Sequence, residues 1–150
     1  MTTDHTLSPG SPDQSAYTQR GLDDYLTHLQ IYGRPDLRDD GASIALRLKS
    51  FHINGGGCAH GGLVMSLMDA VMACATAHKG GGRHCVTVEM KTQFIRPGGQ
   101  AGDLIIARAD WRGGGNTLAF CDAQITDEQG TLLAIASGTF RFIGAARHSM

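Results

Sequence analysis

One stretch limits this chain more than any other. Residues 63–77 read LVMSLMDAVMACATA, apolar except for Ser66, Asp69 and Thr76. Such a run is too long for one ordinary strand and too short to cross a bilayer as a helix. As a helix it is apolar nearly all round, and a helix of that kind must be buried. A curved antiparallel sheet wrapped around it would cover every side.

The flanking sequence supplies strands for that sheet. Near 42–51, Ile44, Leu46 and Leu48 alternate with Ala45, Arg47 and Lys49, the two-residue period of a half-buried strand. GGGRH at 80–84 closes the helix, and four strand-like segments follow near 84–95, 103–112, 117–127 and 131–143. RPGGQAG, RGGGN and DEQG separate them as turns. In the first segment Val86, Val88, Met90, Thr92 and Phe94 share one face; Thr87, Glu89, Lys91 and Gln93 share the other. The order helix, strand, buried helix, antiparallel meander is an α+β layout. The leading helix is short and amphipathic from Gly21, with Leu22, Tyr25, Leu26 and Leu29 on one side and Asp23 and Asp24 in its first turn. GRPDLRDDG after it reads as a loop. Residues 1–16, polar with two prolines, read as a flexible tail to a single domain over 17–150.

Composition removes several function classes. A formal net charge of -1 gives no electrostatic case for nucleic-acid or membrane partners. The 21 glycines fall in clusters, which means tight turns rather than a repeat. The four cysteines, Cys58, Cys74, Cys85 and Cys121, form no CxxC pair, and Cys74 and Cys121 lie in apolar surroundings as small core residues. With no visible secretory signal, a reduced, cytoplasmic protein is expected. His52, Cys58, His60, His84 and Cys85 match no common zinc spacing, so no metal is expected. Neither glycine cluster ends in GK[ST], which rules out a P-loop, and a GxSxG elbow is absent.

Asp69 needs a reason, because an unpaired buried carboxylate is costly without chemistry or a partner. Ahead of it stands HINGGGCAHGG. Glycines before a helix leave backbone N–H groups free, and the helix end adds partial positive charge. Gly61 and Gly62 are therefore placed to donate to a carbonyl oxygen that becomes an oxyanion. Asp69 lies eight residues beyond Gly61, roughly 12 Å along a helix, a gap one aspartate cannot span. If both act on one substrate, the acid comes from a second copy of the chain.

The set Asn54, His60, Gly61, Gly62 and Asp69 resembles the hot-dog-fold acyl-CoA thioesterases of the phenylacetate-degradation (PaaI-like) type. VTVEMKTQFIRPG resembles that family's next strand and TLAFCDAQITDEQGTLLAIASGTF its last two, so the resemblance covers about residues 42–143. It implies a long helix wrapped by an antiparallel sheet, dimerised through a continuous sheet and often paired again into tetramers. By position, Asn54 resembles the loop asparagine that places the carbonyl or the reacting water, and Gly61 the N–H that polarises the thioester. Asp69 resembles the catalytic carboxylate supplied across the dimer, and Thr87 the Ser or Thr that holds the water or steadies that carboxylate. His60 resembles a loop histidine that shapes the turn.

The expected reaction is hydrolysis of an acyl-CoA thioester, with CoA part of the substrate and no separate cofactor. The bland readings stay beside it. Asn54–Gly55 is a turn signal on its own, Thr87 suits any strand, and Ser66 either lines the pocket or fills space. Met65, Met68 and Met72 suit an adaptable acyl pocket or a core. Arg96 and Arg112, near turns, are candidates for the CoA phosphates. Two rival readings remain: a hot-dog dehydratase or hydratase, and a non-catalytic acyl-CoA-binding module.

Overall fold

The computed structural model describes residues 22–31 and 35–144. In chain order the elements are α1 (Leu22–His28), β1 (Asp36–Arg38), β2 (Gly41–Arg47), a 3-10 turn (Ser50–His52), α2 (Gly61–Lys79), β3 (His84–Phe94), β4 (Leu104–Gly114), β5 (Leu118–Asp127) and β6 (Leu132–Ile143). The tail expected over residues 1–16 lies outside the described residues.

The strands form one antiparallel sheet in the order β1-β2-β4-β5-β6-β3. Its inner face carries small side chains, among them Ala107, Ala109, Ala119 and Ala134. The bulk comes from the helix: Leu67, Met68, Val71 and Met72 are fully buried, each worth about 1.5–3 kcal/mol over exposure. Small residues on the sheet let the large ones of α2 sink into it. Met68 and Met72 are therefore core, while Met65 is exposed. Cys74 and Cys121 are buried as expected; burial, and then nearby Cys85, push the Cys74 thiol up to about 12.

α2 begins two residues earlier than its apolar run and ends at a glycine turn. Gly81 and Gly82 take the left-handed backbone that glycine favours, and the Gly82 N–H closes on the Ala77 carbonyl. At 19 residues α2 does reach the length and hydropathy of a membrane span, against expectation, but 67% of that window is buried inside the chain. The sheet, rather than lipid, covers it.

Three further expectations need correction. GRPDLRDDG is not all loop: β1 pairs within it along the edge of β2, its three residues, Asp36, Leu37 and Arg38, too few to show a period. β2 stops at Arg47, because its partner β4 starts at Leu104. Beyond that point the Leu48 N–H and carbonyl turn to Asp103 and Gly102, and the chain enters the 3-10 turn. Finally, only β4, β5 and β6 form a meander. β3 pairs with β6 at the far edge, because the RPGG segment after it crosses the start of α2. There a Cβ on Gly98 would stand 2.9 Å from the Ala59 Cβ, so only glycine permits the crossing.

Candidate active site

The loop before α2 is built on Asn54. Its backbone N–H donates to the Cys58 carbonyl (2.8 Å). Its side-chain Oδ1 accepts from the Gly56 N–H (2.8 Å) and the Cys58 N–H (3.3 Å), the hydrogen-bonded turn that asparagine favours. The amide oxygen is thus committed to the loop. Among the described residues the Nδ2 meets the Cys58 sulfur alone, at 3.5 Å, a weak acceptor that leaves a donor in reserve. Behind the loop, buried His52 accepts from the Lys49 N–H through Nδ1 (3.0 Å) and reaches the Leu29 carbonyl through Nε2 (2.6 Å). It ties the end of α1 to the turn that feeds the site.

His60 caps α2, its Nδ1 accepting from the Gly62 N–H at 2.9 Å. The histidine therefore shapes the turn, and it removes Gly62 as a donor to substrate. Among the described residues no protein acceptor meets the Gly61 N–H, which is left as the free donor at the positive end of the helix. It opens on a cavity of about 440 Å³ lined by Asn54, Cys58, Ala59, Gly61 and the segment 94–98. Phe94 stands over Gly61, where an added Cβ would lie 3.4 Å from its Cζ. Arg96 is at the rim, with Nη1 donating to the Leu132 carbonyl (2.8 Å).

Asp69 is elsewhere. It does not line that cavity, as eight residues of helix require. Its Oδ1 accepts from the Thr87 hydroxyl at 2.7 Å, a bond from α2 to β3. The alternation in sequence assigns Thr87 to the face opposite Met90 and Phe94. A β-bulge between Thr87 and Glu89 reverses this. Thr87 lies across from inward Phe140, the phase slips at Val88, and Met90, Thr92 and Phe94 then share the inner side with it. An extra residue that re-aims a side chain is what bulges do beside functional sites.

The remaining candidates are dispersed. Ser66 donates to the Gly62 carbonyl (2.8 Å) and bonds the Tyr25 hydroxyl (2.7 Å); it fastens α1 to the first turn of α2. Arg112 is on the outer face of the sheet, its Nε 2.6 Å from Asp122 Oδ2. That hydrogen bond and charge raise its already high pKa further. Its surroundings form a separate outer groove of about 370 Å³ that shares no residue with the cavity at Gly61. No group of three or more His, Cys, Asp or Glu able to hold a metal occurs among the described residues. Sequence reasoning passed over Phe94 and Cys58 as site residues. For Cys58 the signal was its place between Asn54 and His60, and for Phe94 the RPG turn that follows two residues later.

The profile of the thioesterase superfamily matches residues 56–134. In fold the chain is similar to the Escherichia coli PaaI protein from the phenylacetic acid degradation operon, with TM-score 0.76, 26% identity, and coverage of 89% of this chain and 94% of that one. It is also similar to a Streptococcus pneumoniae thioesterase protein solved with coenzyme A, with TM-score 0.70, 21% identity, and coverage of 76% and 90%; at that identity the likeness speaks to the fold. Over 104 residues it is 25% identical to an Archaeoglobus fulgidus protein carrying a provisional esterase name. That match spans 69% of this chain and 66% of the relative, just under two thirds of its length.

Proposed function

The chain is a hot-dog-fold member of the thioesterase superfamily, and from that premise we propose that it is a thioester hydrolase cleaving an aryl-acetyl or medium-chain acyl-CoA across a dimer interface. The carbonyl oxygen accepts from the Gly61 N–H, with the Asn54 amide beside it, so that charge growing on oxygen meets fixed donors. The partner's Asp69 either takes a proton from water as it attacks the carbonyl carbon, or attacks directly to form a mixed anhydride that water then cleaves. In both routes the C–S bond breaks, CoA leaves as thiol, and the acid is released. Thr87 holds the carboxylate. Arg96 is the rim cation available to CoA phosphates; Arg112, on the other face of the sheet, has no part in this reading.

One observation carries the proposal: β3 touches both halves of the chemistry, Asp69 through Thr87 and Gly61 through Phe94. It is also the last strand of the sheet, with no strand beyond it among the described residues. If two copies of β3 lie antiparallel about Lys91, Phe94 of one copy comes beside Thr87 of the other. Three residues on one arm then oppose four on the other, and the bulge absorbs the extra one. Gly61 and the partner's Asp69 would then flank one substrate. Val86, Leu118, Phe120 and Ile143 stand exposed on the outer face, which favours further pairing of dimers into a tetramer. Four cysteines with no CxxC pair among them fit a reduced, cytoplasmic setting. No cofactor beyond the CoA of the substrate is required.

The test is thiol release over a panel of acyl-CoA esters, run beside crotonyl-CoA hydration. Wild type should release thiol, and Asp69→Asn should fold yet lose most turnover. Hydration without thiol release would make the chain a hydratase. Tight binding with neither reaction would make it a binding module. Wild-type turnover in Asp69→Asn would refute the assignment of the carboxylate.

A further inference from the structure

We infer that Phe94 is a specificity-determining residue, the wall that limits how bulky an acyl group fits between the Gly61 N–H and the carboxylate of the facing copy. The inference rests on the thioesterase reading above and goes beyond it by assigning the acyl limit to one side chain.

Bulk at the inner end of the cavity is scarce. Cys58, Ala59, Gly61 and Gly98 are all small, so the volume there is set by what stands over them, and that is the Phe94 ring. Phe94 points to the inner side of β3, as Met90 and Thr92 do, yet it is 53% exposed while they are half-buried. The ring overhangs the end of α2 instead of filling the core. It has little freedom to withdraw, because the next two backbone N–H groups, of Ile95 and Arg96, both donate to the Leu133 carbonyl (2.8 and 3.0 Å). A large apolar ring held beside the Gly61 N–H does two things. It keeps water from the bound carbonyl, and it meets the first carbons of the acyl chain. A contact worth one methylene in an apolar pocket changes discrimination about tenfold or more.

The experiment measures kcat/KM for straight-chain acyl-CoA esters from acetyl to decanoyl. Phe94→Ala should shift the optimum to longer chains and raise the longest-to-shortest ratio by about tenfold. Phe94→Leu, a milder change should the alanine variant fail to fold, should move the same ratio by less. Equal losses on every ester with an unchanged ratio in the folded variant would reduce Phe94 to a structural residue and overturn the inference. Purified mixed dimers carrying two different tags locate the wall. With Phe94→Ala in one chain and Asp69→Asn in the other, the single competent site joins native Phe94 to the partner's native Asp69. Wild-type selectivity is expected; the Phe94→Ala pattern would mean that both residues serve from one chain and would overturn the trans arrangement. A wild-type protein that releases thiol from no ester sinks the thioesterase reading and this inference together, whereas an active enzyme with an unmoved ratio sinks only the latter.

Discussion

At the scale of single residues, the bond between Thr87 and Asp69 is the contact most open to test. The hydroxyl donates to a carboxylate at 2.7 Å, and a hydrogen bond to a charged group is worth about 1.5–3 kcal/mol. If that bond steadies the working position of the acid, Thr87→Val should lower kcat about ten- to hundredfold and leave the melting temperature close to wild type, since Thr87 is exposed in the single chain. Thr87→Ser should restore most of the loss; a valine variant at full speed would end the role. Asn54 shows why residue identity in sequence can mislead in both directions. The turn reading is true of its oxygen, which braces the loop. The functional reading survives only in its nitrogen, which meets nothing stronger than a thiol. His60 resolves more simply: its Nδ1 accepts from the Gly62 N–H, and that nitrogen builds the helix start.

At the scale of elements, periodicity revealed α2 and the strands of the sheet because each buries a face long enough to set a pattern. It failed where a single backbone step breaks the pattern. The bulge in β3 inverts the assignment of Thr87, and no side chain in VTVEMKTQF announces it. It failed also for β1, whose three residues are partnered only along one edge. Long-range pairing is a third blind spot: RPGGQAG reads as a turn, and only the fit of Gly98 against Ala59 explains why it crosses the helix instead of doubling back. The β5–β6 turn, by contrast, was legible in DEQG, and its chemistry can be checked. The Asp127 carboxylate accepts from the Thr131 and Gln129 N–H groups at 2.8 and 2.9 Å. These bonds, that from Thr131 first, hold its pKa below the usual carboxylate value. A group depressed in this way stabilises the fold above its unfolded pKa, and its contribution fades as pH falls through the lower, folded value. Protection factors at Gln129 and Thr131, which remove the intrinsic pH dependence of amide exchange, should therefore fall on acidification before those of the core strands. Asp127→Asn should flatten this pH response, and protection factors indifferent to pH in the native protein would contradict the assigned bonds.

At the scale of the whole molecule, β3 is an 11-residue edge strand with exposed Val86, Val88, Phe94 and Ile95 along it or just past its end. An apolar edge with no neighbouring strand among the described residues invites pairing, and proteins that keep such edges single usually blunt them with charge, proline or a cover. Here Glu89 and Lys91 are the charged residues within β3; in the register centred on Lys91 the two copies of that lysine face each other, and each Glu89 lies one diagonal step from the facing lysine to offset them. On the proposed reading, a second copy is the occupant that also joins the two half-sites. Asp69 and Gly61 were each legible in the sequence, and so was the distance that keeps them apart. What joins them depends on an edge that exists only once β3 has crossed to the far side of β6. Val88 offers the cleanest intervention, since it is the bulge residue, 59% exposed in the single chain, and absent from the buried core. Val88→Lys should set an unpaired charge against the apolar Phe94–Ile95 end of the facing strand while leaving α2 and its sheet intact. Sedimentation should then show the smaller species, thermal unfolding should stay cooperative, and thiol release should fall with the loss of dimer and recover where high protein concentration restores it. A folded, strictly single-chain variant with undiminished turnover would mean that one copy holds a complete site, and the division of labour between Gly61 and Asp69 would have to be abandoned.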